Sequence, residues 1–170
     1  MAHLNVEFKA ITHNLLHLEE QLKTLHPIFK GEDHQLDTYF NTGTGRLKLR
    51  EGNIENALIW YDRANISGSK QSHILLYQHQ PDNTLKQILI KPLGIKIVVD
   101  KCRRIYFIDN VKFHFDTVKG LGNFIEVEAI DAYGSIGLDK ITEQCNYYAS
   151  FFNINSSDFQ SLSYSDMLEI

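Results

Sequence analysis

Residues 123–129 read NFIEVEA. In an extended chain successive side chains point to opposite faces, so Glu126 and Glu128 share one face of a strand and Ile125 and Val127 the other. The apolar face needs a core. The destination of the two carboxylates decides the fold, because they can face water on an open sheet or an interior on a closed one.

The same division recurs along the chain. In LNVEFKA (4–10) Glu7 and Lys9 oppose Val6 and Phe8, and in GRLKLRE (45–51) Arg46, Lys48 and Arg50 oppose Leu47 and Leu49. Lys101 and Arg103 share a parity in KCR, as do Lys112, His114 and Asp116 in KFHFD. A solvated sheet face usually mixes in Thr, Ser and Gln, whereas these faces are dominated by full charges spaced i, i+2. Like charges on neighbouring strands repel unless opposite charges lie among them. Periodicity leaves two architectures open. One is a sheet stacked on helices with its charges in water; the other is a barrel with a charged lumen and an apolar outside covered by helices.

The frame around these strands is that of one domain, residues 1–170, with a hydrophobic content of 43%. A balance of 17 basic against 21 acidic residues, net −4, argues against nucleic acid or an anionic membrane as the main partner. Cys102 and Cys145 have no metal-ligand spacing and read as free thiols in a reducing cytosol. No apolar run approaches the roughly 20 residues of a membrane span, and MAHLNVEFKA lacks a signal-peptide core, so a cytoplasmic location is expected. Strands are expected at 4–10, 35–40, 46–50, 57–63, 73–79, 95–101, 103–109, 111–117 and 124–130. Helices are expected near 12–29, at 84–92 and at 138–152, with a polar loop at 66–72 and a serine-rich tail from Asn155. His13, His17 and His26 read as solvent-facing residues of the first helix, and His114 as a wall residue of the charged face. Cys102, between Lys101 and Arg103, points to the opposite face. Gly120 and Gly122 read as a hairpin connection, not a phosphate loop.

VEFKA, QLDTYF, GRLKLRE, LIWYDR, VVDKCRRIYF and VKFHFDTVKGLGNFIEVEA occur in an order and at spacings that resemble the CYTH family. These are the triphosphate tunnel metalloenzymes, which include class IV adenylyl cyclases and thiamine triphosphatases. The match covers residues 4–130, is closest to the cyclase-like members, and extends in style to SYSDML in the C-terminal part, 138–170. The resemblance implies an α+β fold, a closed antiparallel eight-stranded β-barrel with flanking helices, whose lumen receives Glu126 and Glu128. It further implies that Lys9, Arg46, Lys48, Arg50, Arg63, Lys101 and Arg103 grip a triphosphate while Glu7, Asp116, Glu126 and Glu128 hold Mg2+ or Mn2+. The substrate would be a nucleotide or another triphosphate small molecule. A homodimer is a further expectation, with Trp60 facing outward. The implied reaction is conversion of ATP to cyclic AMP and pyrophosphate, with hydrolysis of thiamine, nucleoside or inorganic triphosphate as the alternative.

Physical chemistry agrees with such a lumen. Removing the seven cations and four acids above from totals of 17 and 21 leaves 10 basic and 17 acidic residues elsewhere, so positive charge is concentrated inside. Guanidinium groups match phosphate oxygens through paired hydrogen bonds, and clustered carboxylates hold hard divalent cations. At one position the chain departs from the family: Asn5 stands where the first Glu of the N-terminal motif is expected. A neutral amide weakens metal binding, which leaves open a third reading, a binder of polyphosphorylated metabolites without turnover.

Overall fold

In the computed structural model, which describes residues 2–170, the alternating segments pair into one antiparallel sheet that closes on itself. The elements in chain order are β1 (Ala2–Ile11), α1 (Leu15–Lys23), β2 (Ile28–Phe40), β3 (Arg46–Gly52), β4 (Ala57–Arg63), β5 (Lys70–Gln78), α2 (Asn83–Leu93), β6 (Ile95–Ile108), β7 (Val111–Val118), β8 (Gly122–Asp131), α3 (Leu138–Phe151) and α4 (Tyr164–Leu168). Around the barrel the order is β1-β5-β4-β3-β2-β6-β7-β8, returning to β1. Closure leaves no unpaired edge and separates two environments. No helix is long and apolar enough to cross a membrane among the described residues.

The outer face of β1, β7 and β8 carries the main core. Val6, Phe8, Phe113, Phe115, Ile125 and Val127 pack beneath Leu15, Leu18 and Leu22 of α1 and Ile141, Cys145, Tyr148 and Phe152 of α3. Burial of each large apolar side chain contributes roughly 1.5–3 kcal/mol, so this face pins the parity of all three strands. A polar clamp secures α1: buried Glu19 accepts from Arg104 Nε at 2.8 Å and from Tyr106 Oη at 2.6 Å.

Several element boundaries differ from the sequence reading. The first helix ends at Lys23, not near 29, because His26 precedes Pro27 and takes a positive φ of 52°, leaving Leu25 and Phe29 exposed. Residues 35–40 are the end of a thirteen-residue strand whose middle, residues 30–35, has no apolar side chain on either face, which hides its period. The expected strands 95–101 and 103–109 are one strand, β6, so Lys101 and Arg103 share the inner face without a break. β5 begins at Lys70, inside the expected loop. The tail docks: Phe159 bridges Ala10, and Ser163 and Asp166 form a capping box that starts α4.

Candidate functional site

The inner face of the barrel encloses a cavity of about 600 Å3. Glu126 and Glu128 face it, as do Glu7, Lys9, Lys48, Arg50, Arg63, Lys101 and Arg103. The ladder explains this convergence. Lys9 of β1 stands opposite Glu126 of β8, which stands opposite His114 of β7; one rung away, Glu7, Glu128 and Lys112 form the equivalent row.

Within these rows His114, Glu126 and Glu128 place one ligand atom each within 4.8 Å of one another, a spacing that suits a single cation. His114 Nδ1 lies 3.4 Å from Glu126 and 3.8 Å from Glu128, while its buried Nε2 has no protein partner. Burial, and then the nearby Arg103, push the imidazole down to about 3, so it is neutral and able to ligate. Burial followed by the charges of Glu126 and Glu7 raises Glu128 to about 7. A carboxyl held up first by burial and then by neighbouring carboxylates is one that a bound divalent cation would return to its ionised form.

The other two expected metal ligands are engaged elsewhere. Asp116 receives Arg103 Nε at 2.7 Å, Arg103 Nη2 at 2.6 Å and the Tyr164 hydroxyl at 2.7 Å, which makes it the anchor of Arg103. Glu7 forms an ion pair with Arg63. Asn5 is fully buried on the face of Glu7, paired in register with Ser72 and Ile130, and neither of its side-chain polar atoms has a protein partner.

The cations share too few anions. Asp37 alone receives Arg50 through two bonds of 2.8 Å, Lys101 at 2.7 Å and Lys48 at 3.2 Å. Burial would raise this carboxyl, but Arg50, Lys101 and Lys48 hold it well below the usual range. Lys101, wholly buried and repelled by Arg50 and Arg103, falls to about 7, and burial takes Lys9 down to about 8. Lys9 also sits over the Tyr164 ring, 3.9 Å from its centroid. An incoming polyanion would relieve both lysines. Arg46 is the exception among the expected cations. It reaches Asp166 of the tail at 2.8 Å and Asn65 at 2.9 Å, and it does not line the cavity.

Three participants were given no role in the site from sequence. Asp37 is the shared counter-ion, detectable only by its parity with Tyr39 in QLDTYF. Lys112 lines the cavity with the parity of His114 and pairs with Glu55. Glu55 lies in the β3–β4 connection and also accepts from Arg50 at 3.1 Å; no periodic signal marks a loop residue that folds inward.

Comparison with known proteins follows the same lines. Among curated protein sequences none matches the chain. A protein from Vibrio parahaemolyticus, named as a candidate adenylate cyclase, superposes with a TM-score of 0.81 over 100% of both chains at 17% identity. A conserved hypothetical protein from Pyrococcus furiosus gives a TM-score of 0.80 at 18% identity, covering 95% of this chain and 98% of its own. A Hippeastrum protein, named as a candidate adenylyl cyclase with a dominant triphosphatase activity, gives 0.61 at 12% identity over 98% and 93%. At such identities the likeness shows the fold. The CYTH domain family model matches residues 3–148, most of the sequence, and the chain belongs to the CYTH domain family.

Proposed function

We propose that this chain is a metal-dependent enzyme acting on a triphosphate held in the tunnel, of the class IV adenylyl cyclase type, converting ATP to cyclic AMP and pyrophosphate. The observation that carries the reading is the meeting, in one cavity, of the His114–Glu126–Glu128 cluster with buried cations that outnumber their counter-ions. His114, Glu126 and Glu128 would hold the cation, with Glu7 beside them; an imidazole in an otherwise carboxylate set suits Mn2+ at least as well as Mg2+. Such an ion, when bound, neutralises charge on phosphoryl oxygens. The chain's own groups do the remainder. Arg50, Arg63 and Arg103 offer guanidinium forks to phosphate oxygens, and Lys9, Lys48 and Lys101 add point charge. Held on several sides, the triphosphate is fixed so that attack on the α-phosphorus by the 3′-hydroxyl and departure of pyrophosphate lie in line. Asp37 and Asp116, behind the cations, keep the forks aimed.

Hydrolysis is the second reading, favoured by the Hippeastrum relative, whose name reports triphosphatase activity. The same grip serves a water as nucleophile. Binding without turnover is the third, and rests on buried Asn5 with its unpartnered amide. A cytoplasmic homodimer is also proposed, although Trp60, on the outer face, is partly used within the chain: its Nε1 donates to the Thr44 carbonyl at 3.2 Å. Sedimentation of only monomer at micromolar concentration would remove the dimer.

Product analysis separates the reactions. Incubation with ATP, thiamine triphosphate or tripolyphosphate and Mg2+ or Mn2+ is expected to give cyclic AMP and pyrophosphate from ATP. Orthophosphate release would move the assignment to hydrolysis, and binding with no product at any pH would make the chain a binder.

A further inference from the structure

Arg50 of β3 and Lys112 of β7 both line the cavity, yet the anion they share comes from neither strand. Glu55, in the connection between β3 and β4, turns inward between them. Lys112 Nζ donates to one of its carboxylate oxygens, and Arg50 Nη1 and Gln35 Nε2 donate to the other at 3.1 and 3.2 Å. Burial would raise this carboxyl, but Lys112 and Arg50 hold it well below the usual range, so it stays an anion. It fills the place between two cations that phosphate oxygens would otherwise take.

The backbone that aims this side chain is fixed. The wholly buried Asp33 carboxylate accepts from the backbone N–H of Ile54 at 2.9 Å and of Glu55 at 3.0 Å. The Asn56 side chain bonds both the N–H and the carbonyl of Gly52, at 3.1 and 3.0 Å. Glycine at 52 makes this fit possible, since a Cβ there would lie 2.7 Å from the Asp33 carboxylate and from the Glu55 carbonyl. The Glu55 carboxylate, by contrast, is bonded to side chains and is 24% exposed, so rotation about its own bonds releases it to water while the loop stays in place.

We infer that Glu55 is a built-in competitor for the polyanion: in the empty tunnel it holds Arg50 and Lys112, and a bound triphosphate displaces it from both. The inference rests on the triphosphate reading above and adds to it the residue that limits how tightly the ligand is held. The same ion pairs that stabilise the empty chain must be broken in the complex, so they oppose binding. Glu55 is not among the three groups whose ligand atoms converge for a cation, which are His114, Glu126 and Glu128, so its loss should leave the metal site in place.

The test titrates tripolyphosphate, at fixed Mn2+ and ionic strength, into the wild-type chain, Glu55→Gln and Glu51→Gln by calorimetry, and Mn2+ alone into each. Glu51 pairs with Lys86 outside the cavity, so its variant controls for the change in net charge. Glu55→Gln is expected to bind tripolyphosphate about tenfold more tightly, with Glu51→Gln and all Mn2+ affinities within about twofold of the wild type. Without ligand Glu55→Gln should melt lower than the wild type, and tripolyphosphate should raise its melting temperature further. A merely structural role for Glu55 would lower melting temperature and affinity together. Unchanged or weaker tripolyphosphate binding in Glu55→Gln, equal tightening in Glu51→Gln, or loss of Mn2+ binding in Glu55→Gln would overturn the inference. Should Glu55→Gln fail to fold, the crystal structure of the wild type with tripolyphosphate and Mn2+ is read instead: phosphate oxygens on Arg50 and Lys112 with Glu55 turned away support the competitor, and Glu55 still bonded to both overturns it. Failure of tripolyphosphate to bind the wild type would overturn the triphosphate reading itself and the competitor with it.

Discussion

Glu7 of β1 stands directly opposite Glu128 of β8 in the ladder, both on the inner face of the barrel. Like charges facing each other across a strand pair are destabilising. Arg63 relieves Glu7, but Glu128 is left with a carboxyl raised to about 7 by burial, Glu126 and Glu7. A native-state value above the unfolded one means that the folded protein binds the extra proton between about 4.5 and 7, and that ionisation above 7 opposes folding. Glu128→Gln is therefore expected to stabilise the metal-free protein at pH 8 by on the order of 2 kcal/mol, with little gain at pH 4.5. It should also abolish most of the stabilisation that Mn2+ gives the wild type. Thermal melts at the two pH values, with and without Mn2+, check both; a variant that still gains the wild-type stabilisation would remove Glu128 from the metal site.

Asp37→Asn leaves Arg50, Lys48 and Lys101 buried around a neutral amide. The expected cost is about 3–5 kcal/mol, because stranded buried charges lose their counter-ion while keeping their desolvation penalty. Urea unfolding measures it. Saturating tripolyphosphate should return part of the loss, since the ligand brings anions to the same cations.

Arg46→Ala and Arg50→Ala should separate two roles. Arg50 lines the cavity, whereas Arg46 is committed to Asp166 and Asn65. Loss of Arg46 is expected to loosen the tail at a cost of about 1 kcal/mol with less than a fivefold change in triphosphate affinity. Loss of Arg50 is expected to weaken the same ligand by tenfold or more. Equal effects on affinity would mean that Arg46 leaves Asp166 to meet the ligand.

Asn5→Glu tests the departure from the family motif. Asn5 lies one rung from the Glu7–Glu128 pair, so a carboxylate there joins an acidic group and should lower the melting temperature of the metal-free protein. Saturating Mn2+ should reverse the sign, because binding to the native state adds stability by mass action. An equal Mn2+-induced shift in wild type and variant would show that position 5 does not reach the metal.

Much of the tunnel was legible because strand parity is a local property. Lys9, Lys48, Arg103, Glu126 and Glu128 reach the lumen for the same reason that Phe8, Leu49 and Val127 turn away from it. Partnerships were not legible, since they depend on which strands become neighbours. Asp116 shares the parity of the acids yet is captured by Arg103 and Tyr164, the latter 48 residues away. Arg46 has the expected parity, but its partner Asp166 lies 120 residues on. Asp37 carries no signal of its own in the sequence; β3 and β6, closing on either side of β2, surround it with three cations. The helix that overran to residue 29 shows the complementary limit: leucine spacing continued past the point where Pro27 forbids it.

The most direct test of the central claim is a titration of the wild-type chain with ATP in the presence and absence of Mn2+, followed by calorimetry at several salt concentrations. The account predicts one triphosphate per chain, affinity that rises with Mn2+, and a fall in affinity as salt increases, because the grip is made of buried cations and a carboxylate-rich metal site. Binding that ignores both the metal and the salt, or no binding by ATP, thiamine triphosphate or tripolyphosphate under any of these conditions, would contradict it.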